Sequence, residues 1–150
     1  MAKIDYINDF EQWVKEFSFS IPVKVRFSET DLFGHMNNTV PFSYFEDARI
    51  EFFNASGLMK EMLAPDYPYI TVVGDLQCHF LKQTYFHDHI QVFVKINYMG
   101  NSSFDLHYCA KKEDGDVLFV GRGAIILIER KTGKSVLIPE DLKEKLINIK

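Results

Sequence analysis

Asp31 stands in a run of polar and turn-forming residues, Ser28-Glu29-Thr30-Asp31-Leu32-Phe33-Gly34-His35-Met36-Asn37-Asn38, that ends where a strongly apolar segment begins. A carboxylate so placed can take a proton from water or attack an electrophilic carbonyl. The first amides of a helix have no partner in its own ladder and carry the positive end of its dipole. They can therefore hold the negative charge that develops on a carbonyl oxygen under attack. Asn37 and Asn38 lie where such amides belong, and Gly34 sets the backbone of the turn. The same residues also allow a purely structural reading. Asp31 could simply cap a turn, and His35, Asn37 and Asn38 could stabilise it through side-chain to backbone hydrogen bonds.

The elements that must position this segment follow from hydrophobic periodicity. Pro22 to Phe27 alternates Val23, Val25 and Phe27 against Lys24 and Arg26 and predicts a half-buried strand before the turn. Thr39 to Ser56 predicts a long helix, with Asn38 or Thr39 as N-cap, Pro41 tolerated in the first turn and Gly57 as a stop. Its polar stripe is Ser43, Asp47, Glu51 and Asn54. Phe42, Tyr44, Phe45, Ala48, Ile50, Phe52, Phe53 and Ala55 occupy most of the rest, so the helix should be buried on most sides. A curved sheet wrapped around it would bury it.

The remaining chain supplies that sheet. Tyr69 to Thr84 is one long extended run, and His89 to Tyr98 alternates cleanly, with Ile90, Val92, Val94, Ile96 and Tyr98 on one face. Met99 to Ser102 is a turn, after which Phe104, Leu106, Tyr108 and Ala110 alternate again. Asp114-Gly115 marks the next hairpin, and Val117 to Glu129 the last strand, with Gly121 and Gly123 as bulge or close-approach points. An amphipathic helix over Asp5 to Phe17 precedes these elements, and a helix from Pro139 to Ile149 follows them. One domain over residues 1–150 is expected, of α+β class.

Bulk properties exclude several functions. The formal net charge of -4 argues against nucleic-acid binding through a general positive field. Asp5, Asp9, Glu11 and Glu16 interrupt the first twenty residues, so no secretory signal is expected, and no stretch reaches the apolar length of a membrane span. Cys78 and Cys109 fall within predicted strands, as expected of reduced thiols in a cytoplasmic protein. His87 and His89 lack the further ligands a metal site needs, so no metal is expected. Gly121-Arg122-Gly123 lacks the third glycine and following helix of a dinucleotide fingerprint, and no Gly-x-Ser-x-Gly elbow or phosphate loop occurs.

The combined pattern Val25-Arg26-Phe27-Ser28-Glu29-Thr30-Asp31, Gly34-His35-Met36-Asn37-Asn38, Tyr44-Phe45-Glu46 and Ala48-Arg49, with the Thr132-Gly133-Lys134 turn leading to Ile138-Pro139-Glu140, resembles the hotdog-fold acyl-CoA thioesterase / 4-hydroxybenzoyl-CoA thioesterase superfamily over about residues 22–147. The resemblance implies a long central helix wrapped by a curved, mainly antiparallel five-stranded sheet. It implies hydrolysis of thioesters of coenzyme A, or of acyl carrier protein, without metal or organic cofactor. It further implies homodimers joined edge to edge, paired again into homotetramers, with the site at the interface between two copies.

By that resemblance Asp31 is the catalytic carboxylate, and Gly34, His35, Asn37 and Asn38 shape the oxyanion site. Phe33, Phe42 and Phe45 are expected against the acyl group, and Tyr44 as core or pocket wall. Glu46 is either a second carboxylate or, as its spacing favours, an ion-pair partner of Arg49. Two departures stand out. Pro41 occupies a position where the family commonly has an aromatic, and Phe86-His87-Asp88 replaces a Gly-Asp corner. The alternatives to an acyl-CoA hydrolase are a carrier-protein thioesterase and a non-catalytic acyl-thioester binding module.

Overall fold

The computed structural model describes residues 3–149. In chain order it contains α1 (Phe10–Lys15), β1 (Phe19–Lys24), α2 (Val40–Ser56), α3 (Leu58–Leu63), β2 (Tyr69–Val73), β3 (Gln77–Phe80), β4 (His89–Met99), β5 (Ser103–Lys112), β6 (Val117–Glu129) and α4 (Glu140–Ile147). All pairings in the sheet are antiparallel, in the order β1-β4-β5-β6-β2, with β3 also paired to β6. The expected α+β arrangement of a long helix against a curled antiparallel sheet is present.

The sheet has six strands where five are expected because the run from Tyr69 to Thr84 breaks. At Gly74-Asp75-Leu76 the chain leaves the ladder. Asp75 then takes over as a capping group, accepting the Ala124 N–H at 2.8 Å and pairing with Arg122 at 2.9 Å. β2 and β3 consequently lie one after the other along the same edge of β6.

The inner face of α2, formed by Tyr44, Phe45, Ala48, Phe52 and Phe53, packs with Val92, Val94, Leu106, Tyr108, Phe119, Ile125 and Leu127 of the sheet. Each buried Val, Leu, Ile or Phe side chain among them contributes about 1.5–3 kcal/mol. The opposite face of α2 is less covered than its composition suggests: Phe42, Ser43, Glu46, Asp47, Glu51, Asn54 and Ala55 are exposed in the single chain. Gly121 shows why glycine interrupts β6. A Cβ there would lie 2.4 Å from Cε2 of Phe45 and 2.5 Å from the Gln77 carbonyl oxygen. The missing side chain lets the helix sit on the sheet.

A second core lies on the outer face, where Ile4, Ile7, Trp13 and Phe17 pack with Cys109 and Val120. The N-terminal helix is shorter than predicted, starting at Phe10 with Asp9 as its N-cap, because Asp9 accepts the Gln12 N–H and ends the preceding turns. Ile7 and Phe17 still reach that core from outside the helix. Three further boundaries differ from expectation. β1 ends at Lys24, and Phe27 to Glu29 form a 3-10 turn. Gly57, at φ 84°, ends α2 and also caps α3, a helix that its role as a stop had hidden. The last helix spans Glu140–Ile147.

Cys78 and Cys109 pair with the adjacent β6 residues Gly121 and Val120, so they face opposite sides of the sheet. Both are free thiols. Burial pushes each up to about 12.

Candidate active site

The Asp31 segment folds back on itself between β1 and α2. The Asp31 N–H donates to the His35 carbonyl at 2.7 Å, and the Asn37 N–H donates to the Glu29 carbonyl at 2.7 Å. A positive φ of 80° at Gly34 closes the turn, a conformation glycine adopts without steric cost. Two tethers tie the segment to the chain preceding β4. The Met36 N–H donates to the Thr84 carbonyl at 2.7 Å, and the His35 ring lies edge-on to Tyr85 with centroids 5.2 Å apart.

Within the turn one carboxylate oxygen of Asp31, Oδ1, accepts the N–H groups of Phe33 at 2.8 Å and His35 at 3.2 Å. This is the geometry of a turn cap, and it also fixes the carboxyl orientation. The other oxygen, Oδ2, has no hydrogen-bond partner among the described residues.

The start of α2 offers fewer amides than the sequence suggests. Asn37 has given its N–H to Glu29, and its side-chain oxygen accepts both the N–H and the hydroxyl of Thr39, at 2.9 and 2.8 Å. Asn37 is thereby a structural residue of the turn. The Asn38 N–H has no partner among the described residues.

Asp31, His35 and Asn38 line one cavity of about 450 Å³, with Met36 beside them and Phe80, Leu81, Lys82, Gln83 and Thr84 opposite. The second wall comes from the last residue of β3 and the stretch after it, which the sequence marks only as extended chain. Its polar run Lys82-Gln83-Thr84, directly after Phe80-Leu81, is the one signal that could have flagged it. Thr84 is buried, and its hydroxyl has no hydrogen-bond partner among the described residues. A buried unpaired hydroxyl costs about 1–3 kcal/mol.

The residues expected around an acyl group are dispersed. Phe45 is fully buried and stacks on Tyr108 at 4.4 Å, so it belongs to the core of this chain and not to the cavity wall. Tyr44 is likewise buried, and its hydroxyl donates to Glu29 Oε1 at 2.7 Å. Burial, and then the Glu29 carboxylate, hold that phenol above its ordinary range, so it stays a donor. Phe42 is partly exposed, and Phe33 is 78% exposed beside the acid. Glu46 points outward and pairs weakly with Arg49, at 3.9 Å, as its spacing favours. Arg49 is buried and reaches the Tyr108 hydroxyl at 3.4 Å.

Among the described residues no helix is long and apolar enough to cross a membrane. Comparison with known proteins fits the geometry. The family model of the thioesterase-like superfamily matches residues 25–146. The uncharacterized protein YsmA of Bacillus subtilis (strain 168) is 38% identical over 139 residues, covering 93% of this chain and 92% of YsmA. A Bacillus stearothermophilus structure, described as a predicted thioesterase, is similar at 27% identity and a TM-score of 0.77, covering 87% of this chain and 95% of that one. The Staphylococcus aureus protein SAV2348, solved in complex with CoA, shares the fold at 20% identity and a TM-score of 0.75, covering 85% and 80%. On its sequence and its fold alike, this chain belongs to the thioesterase-like superfamily and has the hotdog fold.

Proposed function

We propose that this protein hydrolyses acyl-CoA thioesters, turning acyl-S-CoA and water into a carboxylic acid and free CoA-SH. One observation carries the reading: Asp31 and Asn38 line the same cavity, and the Asn38 N–H has no hydrogen-bond partner among the described residues. With Oδ1 held by two backbone amides, Oδ2 is the oxygen that either takes a proton from the attacking water or bonds to the thioester carbon. On the first route Asp31 then returns the proton to the departing thiolate. On the second, the CoA thiolate leaves an acyl anhydride that water cleaves. On both, negative charge gathers on the carbonyl oxygen, where the Asn38 N–H and the start of α2 stabilise it. A donor of this kind is worth about 3–4 kcal/mol of barrier.

Coenzyme A as the leaving group is supported by family membership and by the fold shared with the CoA-bound S. aureus protein. A homodimer, paired into a tetramer, completes the reading. Leu32 and Phe33, next to the acid, are 93% and 78% exposed in the single chain, an apolar surface that a second copy would cover.

Asp31→Asn tests the assignment, with free-thiol release measured over a panel of aliphatic and aromatic acyl-CoAs. The variant keeps its circular dichroism spectrum and oligomer size and loses most hydrolysis. Retention of more than about a tenth of the wild-type rate, a barrier change below about 1.4 kcal/mol, would remove Asp31 from the chemistry. Binding without thiol release by the wild type would replace hydrolysis with a binding function.

A further inference from the structure

Asp31 and Asn38 sit on two pieces of chain whose relative position the turn alone does not fix. Asp31 belongs to the folded-back segment after β1, whereas Asn38 leads into α2. One side chain bridges them. Oε1 of Glu29 accepts the Arg26 N–H at 2.9 Å, which closes the 3-10 turn below Asp31. The same oxygen accepts the hydroxyl of Tyr44, in the second turn of α2, at 2.7 Å. The Glu29 carbonyl accepts the Asn37 N–H, one residue before the free amide. Glu29 thus ties the base of the acid's turn to Tyr44 of the helix by its side chain, and to Asn37, just ahead of the helix, by its backbone.

We propose that Glu29 and Tyr44 form a positioning strut for the acid and the oxyanion amide, which holds the start of α2 at working distance from Asp31. The inference rests on the thioesterase reading for its catalytic consequence but not for the strut itself. Neither residue lines the cavity that holds Asp31 and Asn38, so neither touches substrate in this account. The strut acts through geometry, where a displacement of about 1 Å can cost on the order of a hundredfold in rate.

The chemistry of the bond provides a sharp test. The Arg26 backbone N–H and the Tyr44 hydroxyl converge on one oxygen, so a glutamine whose carbonyl oxygen takes that place accepts both. Glu29→Gln should therefore keep the strut without the charge, whereas Glu29→Ala and Tyr44→Phe break it. With the acyl-CoA that the wild type hydrolyses best, Tyr44→Phe and Glu29→Ala should lower kcat about tenfold or more with KM changed less than about threefold. Glu29→Gln should recover kcat to within about threefold of wild type.

Wild-type kcat in both Tyr44→Phe and Glu29→Ala overturns the strut and leaves the thioesterase reading standing. Loss in Glu29→Gln as deep as in Glu29→Ala also overturns it, because the charge and not the bond would then matter. If the wild type releases no thiol from any acyl-CoA, the hydrolytic reading fails and amide hydrogen exchange decides the strut alone. Breaking it must speed exchange at the Asn37 amide in Tyr44→Phe, and unchanged protection there overturns it.

Discussion

Trp13 and His107 make a buried hydrogen bond whose pH dependence can be worked out from the structure. The indole N–H of Trp13 donates to Nδ1 of His107 at 2.8 Å, and the imidazole is 0% exposed. Nδ1 must therefore be unprotonated, which puts the ring proton on Nε2, facing Asp105 Oδ2 at 3.1 Å. Arg122 pairs with that same carboxylate, while Lys95 lies over the Trp13 ring and pairs with Glu16. Tyr6 packs against the imidazole at 5.0 Å.

Desolvation is the main force on His107 and disfavours its charged form. Asp105 opposes this, Lys95 and Arg122 add to it, and the pKa is held down at about 4 instead of 6.5. The sign follows from the depressed value. As pH falls through 6.5 the unfolded chain takes a proton that the folded chain refuses, so stability is full above that pH and is lost between 6.5 and about 4. The loss is on the order of 3 kcal/mol.

Urea unfolding, followed by the emission of Trp13, the chain's one tryptophan, measures it directly. Carboxylates such as Asp75, which Arg122 and the Ala124 amide hold below the ordinary range, also weaken the fold on acidification. The comparison is therefore with His107→Asn, which keeps an acceptor near Nδ1 but cannot titrate. The stability difference between wild type and this variant should shrink by about 2–3 kcal/mol from pH 7.5 to pH 4.5. A difference constant to within about 0.5 kcal/mol over that range would refute a neutral, buried imidazole.

Two further predictions concern the backbone. Gly121→Ala drives a Cβ against both Phe45 and the fixed Gln77 carbonyl, so it should cost about 3 kcal/mol and lower Tm by about 10 °C. A fall of less than about 3 °C would mean that α2 does not rest on β6 there. His87 adopts φ 72°, a left-handed conformation that costs a residue with a Cβ about 1 kcal/mol. His87→Gly should thus be more stable than His87→Ala by roughly that amount in denaturant titrations, and equal stability would show the corner to be unstrained.

The parts of the molecule governed by short-range pattern were legible in the sequence. Alternation over His89 to Tyr98 marked β4, the long apolar run from Val117 to Glu129 marked β6, and Gly121 announced the close approach that Phe45 makes. Asp31, Gly34 and the Asn pair stood out because turn chemistry is written in adjacent residues. Three features were not legible, each for its own reason. Gly57 ends one helix and begins the next, so a stop signal concealed α3. The break at Asp75 depends on an amide 49 positions away, which no local window contains. The Tyr44–Glu29 and Trp13–His107 bonds span 15 and 94 positions, so their partners carry no mark of one another. Nor could residue type tell Phe45, which fills the core, from Phe33, which meets water; only the tertiary packing separates them.

The aim of the Asp31 carboxylate is inherited from amides two and four residues downstream, so a single short stretch of chain carries it. The location of that stretch depends on a few tethers: Glu29 to Tyr44, Met36 to Thr84, and His35 against Tyr85. Orientation is therefore written locally and placement remotely. Transplanted into a foreign scaffold, the segment would still point its acid correctly relative to its own backbone, yet at nothing in particular.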